Sequence, residues 1–301
     1  MGSSKLRSIR TWLIRNGRAL DVARWYYHFE DGSAQDVLKA LAAYQNPDGG
    51  FGHGLEPDIR SSASSPIQTW AATQILQEIG LPEMSAQMVE HLLDYLESTL
   101  AGDRWAATMP AMNDFPHAPW WHYSPENEFW GWNPTVELAA FILVAGSHRT
   151  SLAEKAETIV RVALKQLMEA DFVPSPHELA NFAKATEMLY DTRGDLLSAE
   201  VVQRLQQLIQ STVTSDQAMY LSGEYITTPT FFLNSPRSLY YPSIQSTADF
   251  FTTHLENNVT EEGYWNISWT WGEEPVHPDS LRDWRGSLIL ENMIYLQNFK
   301  K

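Results

Sequence analysis

Apolar positions recur along this chain at the three- and four-residue spacing of helices, and the punctuation between the runs is regular. Ile67, Trp70, Ala71 and Ile75 fall on one helical face. Ahead of them, Ser65-Pro66-Ile67-Gln68 has the order of an N-cap, a first-turn proline and a capping-box glutamine. Gly80 stops the run, and Pro82 lies just beyond it. Ser175-Pro176-His177-Glu178 repeats that start ahead of LANFAKATEMLY. Asn133-Pro134 opens another helix, which Gly146 ends; its body, VELAAFILVA, is apolar all round except at Glu137, which predicts burial on most sides. Further helices are predicted over about 19–29, 34–45, 85–100, 151–170, 197–212, 240–257 and 284–298. No alternating run is long enough to demand a sheet, so the predicted fold class is all-α, with about ten to twelve helices.

Long aromatic loops separate the helical segments, at 103–132, 217–239 and 261–283. Loops of that length in a compact domain carry function or line a pocket. Eight of the twelve tryptophans lie in these stretches, Trp120, Trp121, Trp132, Trp269 and Trp271 among them. Their indoles either seal the core or line a cavity. A weak internal repeat runs through the chain: DGGFG stands ahead of SSPIQTWAATQIL, EEGYWN ahead of SLRDWRGSLILENMIYL, and FWGWNPTVELAAFIL is a shortened version. Repeated helix pairs that cannot bury their faces alone stack into a solenoid or close into a ring.

Composition narrows the partners. With 21 basic and 37 acidic side chains the net charge is −16, which disfavours a phosphate backbone and predicts no nucleic-acid partner. The balance suits a cytoplasmic protein. Hydrophobic residues make up 44 % of the 301, enough for a large core, and no polar linker divides them, so a single domain over 1–301 is expected. The absence of cysteine excludes disulfides and thiolate-held zinc. No secretory leader and no apolar run of the roughly 20 residues of a membrane span is visible. The opening KLRSIRTWLIRNGR carries five basic residues, with Ile9, Trp12 and Leu13 on one face. It reads as a packing helix with a solvated basic side, or as a weak membrane-surface contact.

Gln45-Asn46-Pro47-Asp48-Gly49-Gly50-Phe51 resembles the Gln-x-x-x-Gly-x-Trp repeat of squalene and terpenoid cyclases, with Phe in place of Trp. It is also similar to the repeat of protein prenyltransferase β-subunits, where DGGFG precedes a Thr/Ala-rich helix, represented here by Thr69, Ala71 and Ala72. Gly263-Tyr264-Trp265 resembles a second copy, with Val259 where the glutamine would stand. The clear match covers residues 44–79. The resemblance implies a single α/α toroid, an (α/α)6-like barrel with long aromatic loops, in which inner helices ringed by outer ones surround a central cavity. It also implies that the repeat itself is a structural clasp on a helix end. The Asp-x-Asp-Asp and Asp-Asp-x-x-Asp motifs of those families are absent, as is the cysteine of the prenyltransferase zinc site.

The residues after the clasp are the candidates for chemistry. Pro57 keeps Glu56 from a helical conformation, and in an extended segment Glu56 and Asp58 share a side. Two carboxylates so placed raise one pKa, which suits a general acid. Alternatively, these acids cap the next helix or pair with Arg60. A second acidic set is Glu273, Glu274, Asp279 and Asp283; Ser280-x-x-Asp283 also reads as a capping box, and Arg282 or Arg285 can neutralise Asp279. The resulting expectation has Asp58 as proton donor, with Glu56, Asp283 and Asp279 as catalytic partners. His53, Arg60, Trp120, Trp121, Trp132, Trp269, Trp271 and Arg285 are expected to contact substrate. His53-x-x-Glu56-x-Asp58 and His277-x-Asp279 offer ligand types for a metal, while His117 and His122 fit hydrogen bonds to loop carbonyls equally well; no metal and no other cofactor is expected. The leading functional expectation is terpenoid cyclase-like acid catalysis on an apolar, isoprenoid-type small molecule. A carbohydrate-active hydrolase or lyase, and a non-catalytic lipid- or peptide-binding toroid, are the other readings.

Overall fold

Eleven α-helices and no β-strand account for the regular structure of the computed structural model, which describes residues 1–273 and 275–299. In chain order the helices are α1 (Ser3–Asn16), α2 (Ala19–Phe29), α3 (Ala34–Leu41), α4 (Pro66–Glu78), α5 (Ala86–Thr99), α6 (Thr135–Ala145), α7 (Thr150–Leu167), α8 (Pro176–Tyr190), α9 (Ala199–Thr212), α10 (Tyr241–Asn257) and α11 (Pro278–Phe299). They group into two compact units, one formed by Leu41–Leu208 and the other by Met1–Ala40 with Ile209–Lys301.

In the Leu41–Leu208 unit, α6 is the central helix, and α4, α7 and α8 pack on it. Its apolar sequence dictates this: every residue from Thr135 to Leu143 is buried, Glu137 included. The helix starts on either side of it are capped as the sequence predicts. Ser65 Oγ accepts from the Gln68 amide at 3.3 Å, and Ser175 Oγ accepts from the Glu178 amide at 3.2 Å. The return halves of the two capping boxes are redirected. The Ser65 amide already donates to the Phe51 carbonyl, so Gln68 Oε1 turns instead to the amides of Gly54 and Leu55, both at 3.0 Å. Glu178 Oε1 likewise accepts from the Trp132 amide at 2.7 Å. Each of these two helix starts is thereby tied to the loop that precedes it.

The clasp is built as its residues suggest. Gln45 Nε2 donates to the Gly49 and Met88 carbonyls, both at 3.0 Å, which fastens the turn to α5. Gly49 has φ +89°, and a Cβ there would fall 1.9 Å from the His91 carbonyl oxygen, so only glycine fits. Phe51 is fully buried and donates its amide to Thr69 Oγ1 at 3.1 Å. The same device recurs at Trp105, whose amide donates to Thr135 Oγ1 at 3.1 Å and whose indole donates to the Leu96 carbonyl at 2.9 Å. The sequence placed the middle copy at FWGWN; the structure places it at the Ala101–Arg104 turn, because Trp105 rather than Trp132 closes the preceding helix. Near the C-terminus, the Trp265 indole donates to the Leu255 carbonyl at 3.1 Å in the predicted position.

In the other unit, α11 packs against α1, α2 and α10. It starts at Pro278, earlier than the predicted residue 284. His277 is the reason: its Nδ1 accepts from the Asp279 amide at 3.3 Å and its carbonyl accepts from the Leu281 amide at 2.9 Å, so it serves as the cap. Ser280 and Asp283 therefore lie within the helix and form no capping box. Ile9 and Leu13 of α1 are buried, while Lys5, Arg7, Arg10 and Arg15 face outward. Arg18 instead makes a buried bidentate pair with Asp21, at 2.8 and 3.0 Å, and donates to Ser287 Oγ at 3.0 Å. Among the described residues, no helix is long and apolar enough to cross a membrane.

Candidate active site

The stretch that follows the clasp does not run extended. Leu55 and Ile59 each close a tight turn, by amides donated to the Gly52 and Glu56 carbonyls at 3.2 and 3.1 Å. Pro57 occupies the second position of the Glu56–Ile59 turn, where its fixed φ belongs. The two acids are therefore arranged by the turn: a Glu56 carboxylate oxygen accepts from the Asp58 amide. Both are buried, and the Asp58 carbonyl accepts from the Ala118 amide at 2.9 Å, tying the turn to the 103–132 loop. Arg60 reaches back over Gly54, where a Cβ would meet its guanidinium at 3.0 Å. His53, at φ +60°, is exposed and bonds Asn46 Oδ1 at 2.9 Å.

The predicted aromatic contacts divide. Trp132 is buried, its indole donating to Gln166 Oε1 at 2.8 Å with the Arg104 guanidinium 3.3 Å over the ring, which makes it a packing residue. Trp121 stacks on Trp130 at 4.6 Å, and Trp120 lies at the surface. In the other unit, Trp269 packs edge-on against Trp284 at 5.0 Å and against Tyr225 at 6.0 Å, so the 217–239 and 261–283 loops meet. Trp271 stacks on His277 at 6.3 Å. Asp279 and Asp283 are engaged by Arg282, at 2.9 and 3.3 Å, and Arg285 lies 4.1 Å over Tyr264. The pairing predicted between Asp279 and an arginine is thus made by Arg282. Glu274 lies outside the described residues. The Glu56/Asp58 and Asp279/Asp283 sets belong to different compact units. His117 and His122 stack on one another at 5.3 Å, and His117 Nδ1 bonds the Phe115 carbonyl at 2.6 Å, as the loop-carbonyl reading expects. Among the described residues, no group of three or more His, Cys, Asp or Glu side chains is placed to hold a metal.

The unit Leu41–Leu208 brings together a different set. Trp70, Gln74 and Gln77 share one face of α4; His177, Asn181, Lys184 and Met188 share one face of α8. Glu137 of α6 lies between these helices. Gln74 Nε2 donates to Glu137 Oε1 at 2.9 Å, Lys184 Nζ lies 5.9 Å from the Trp70 ring, and Gln77 meets Met188. Burial pushes the Glu137 carboxyl above its ordinary value, against the opposing pull of the Lys184 ammonium and of the hydrogen bond from Gln74. Its Oε2 is buried without a hydrogen-bond partner. The Trp70 indole N–H points to this carboxyl closely enough to oppose the rise as well, although the pair falls short of full hydrogen-bond geometry and the indole nitrogen has no other partner.

Asn181 donates to the His177 carbonyl at 2.9 Å, leaving its Oδ1 buried and unpartnered. Asn133 Oδ1, just ahead of α6, is likewise buried without a partner. Such groups are costly unless something satisfies them, which marks the face as a site. His177 is exposed as a residue, yet burial of its imidazole, and after it the Lys184 charge, hold its pKa below the ordinary value. At neutral pH the face therefore pairs a carboxyl pushed toward its protonated form with an imidazole held toward its neutral one. Of these residues the sequence singled out only Glu137, as the lone charge in an apolar helix. The polar stripes at 70, 74, 77 and at 177, 181, 184 were the signal for the rest.

No protein-family model, no curated protein and no solved structure matches this chain. Fold and site together define an all-α protein with a buried carboxyl, hydrogen-bonded through one oxygen, on a polar face shared by three helices.

Proposed function

We propose that this protein is an enzyme that protonates a small, largely apolar molecule, with Glu137 as the general acid. The observation that carries the reading is the Glu137 carboxyl itself: buried, raised in pKa, held at Oε1 by Gln74, and with Oε2 unpartnered. A proton on Oε2 is available to a bound substrate, and positioned general acids contribute roughly 10²–10⁴ in rate. The indole of Trp70 beside the acid supports positive charge developing on the substrate. Lys184 keeps the pKa of Glu137 from rising without limit, and neutral His177 is a base able to accept a proton when the product forms. This is terpenoid cyclase-like chemistry on an isoprenoid-type substrate, set in the α/α toroid that the clasp sequence implies. Glu137 takes the donor role first given to Asp58, because the Glu56–Asp58 turn is organised around its own backbone.

The test is deuterium incorporation from D2O into geraniol, farnesol or squalene, read by mass spectrometry. The wild-type protein is expected to label at least one of them, and Glu137→Gln to lower that rate by about 10²–10⁴. Full-rate labelling by Glu137→Gln refutes the role of Glu137.

A further inference from the structure

The unit formed by Met1–Ala40 and Ile209–Lys301 contains a cleft that the acid chemistry does not use. Its volume is about 370 Å³; α1 supplies most of its lining and Glu262 the rest. Two rows of α1 side chains at spacing four, Arg7-Thr11-Arg15 and Ser8-Trp12-Asn16, lie next to one another and face it. The surroundings are fixed. Gly263, at φ +99°, brings the 260–264 turn against the backbone of Ser8, where a Cβ would fall 2.3 Å from the carbonyl carbon. The turn itself is closed by the Thr260 amide, donated to the Tyr264 carbonyl at 2.9 Å, and by the Tyr264 amide, donated to Thr260 Oγ1 at 3.1 Å. Tyr264 packs on Trp12 with ring centroids 5.3 Å apart.

The charges that line the cleft are unpaired. On the same stretch of chain Arg10 pairs with Glu30 and Arg18 with Asp21. Among the described residues, Arg7, Arg15 and Glu262 have no ion-pair partner. Opposite charges that share a cleft without closing on each other leave a gap between them. Two guanidinium groups face one carboxylate there, so the local sign is opposite to that of a chain whose net charge is −16. Arg7 and Arg15 stand about 12 Å apart along the helix axis, a span their long side chains can close over Thr11. Guanidinium groups bind phosphate through paired N–H donors, which fits a small anion better than it fits bulk counter-ions. The Trp12 indole offers apolar surface beside that position.

We propose that Arg7 and Arg15 hold the phosphate of a small phosphorylated molecule in this cleft, with Ser8 and Thr11 donating hydroxyl hydrogen bonds and with Trp12 against the organic part of the ligand. Glu262 opposes the bound charge and limits the affinity. The proposal is independent of the role given to Glu137. It is tested by calorimetric titration of the intact protein with phenyl phosphate and with phenol, and by co-sedimentation with phosphatidylcholine vesicles that contain phosphatidic acid. Phenyl phosphate is expected to bind saturably, at least about tenfold more tightly than phenol. Arg7→Gln and Arg15→Gln are each expected to weaken it by about tenfold, and Glu262→Gln to tighten it by about twofold or more. All three positions are exposed, and circular dichroism checks that the variants fold. No saturable binding of phenyl phosphate, equal binding of phenol, unchanged affinity in folded Arg7→Gln and Arg15→Gln, or weaker binding in Glu262→Gln each overturns the site. Attachment to the vesicles without binding of phenyl phosphate overturns it as well, in favour of a membrane surface.

Discussion

Replacing Glu137 by Gln should make the protein's stability less sensitive to rising pH. In the native state burial raises the carboxyl above its ordinary value of 4.5, so folded Glu137 keeps a proton that the unfolded chain has already released. Between those two values the native state binds more protons than the unfolded state, and stability falls as pH rises. One proton held in this way gives a slope of at most about 1.4 kcal/mol per pH unit. The slope begins near the unfolded value and ends where the native carboxyl finally ionises. Glutamine preserves the shape and the acceptor for Gln74 but has no proton to lose, so the variant's curve lacks this component. The assay is urea unfolding of both proteins at half-unit steps from pH 4 to 8, with the difference in stability plotted against pH. The variant should gain on the wild type progressively above about pH 4.5, while the two curves run parallel below it. Parallel curves throughout, with unchanged denaturant slope, would mean that Glu137 titrates alike in both states and that its carboxyl is ionised at neutral pH.

Two further outcomes follow from the packing. Gly49→Ala places a methyl 1.9 Å from the His91 carbonyl at φ +89°, and should cost about 2–4 kcal/mol in urea unfolding, since strain and overpacking act together. Arg18→Met leaves the buried Asp21 carboxylate with Arg24, 3.9 Å away, in place of its bidentate partner; a loss of about 3–5 kcal/mol is expected in the same assay, and a change under about 1 kcal/mol would show that Arg24 or water takes over the role of Arg18.

Helices α4 and α8 are legible because their information is local, a serine cap, a proline in the first turn and an apolar period, and α6 is legible from its Asn133-Pro134 start and its nearly continuous apolar run. The start of α11 was missed because its cap is a histidine, which composition does not distinguish from a loop residue. The Glu56–Asp58 stretch was misread as extended because Pro57 excludes a helix without choosing between extended chain and turn; the amide of Asp58 makes that choice by bonding Glu56. Glu137 stood out as an anomaly, but its surroundings did not. Gln74 reaches it from a helix 63 residues before it and Lys184 from another well after it, and only the packing of α4 and α8 on α6 brings them there. The middle clasp is read from the sequence at FWGWN because that stretch lies nearer the helix it precedes, whereas Trp105 is the tryptophan that closes the helix before it.

The tie between Glu178 and the Trp132 amide reaches beyond packing. Gly131, at φ +57°, has no room for a side chain, since a Cβ would fall 2.3 Å from Glu178 Oε1. The root of the long 103–132 segment is thus anchored to the head of α8, while its tip presents Phe115, Trp120 and Phe129 at the surface. Such an arrangement confines free variation to the exposed side chains of the segment, because Pro116 and Ala118 are bonded to the Asp58–Arg60 stretch and Trp121 is buried, so a change in its length would be felt by the scaffold.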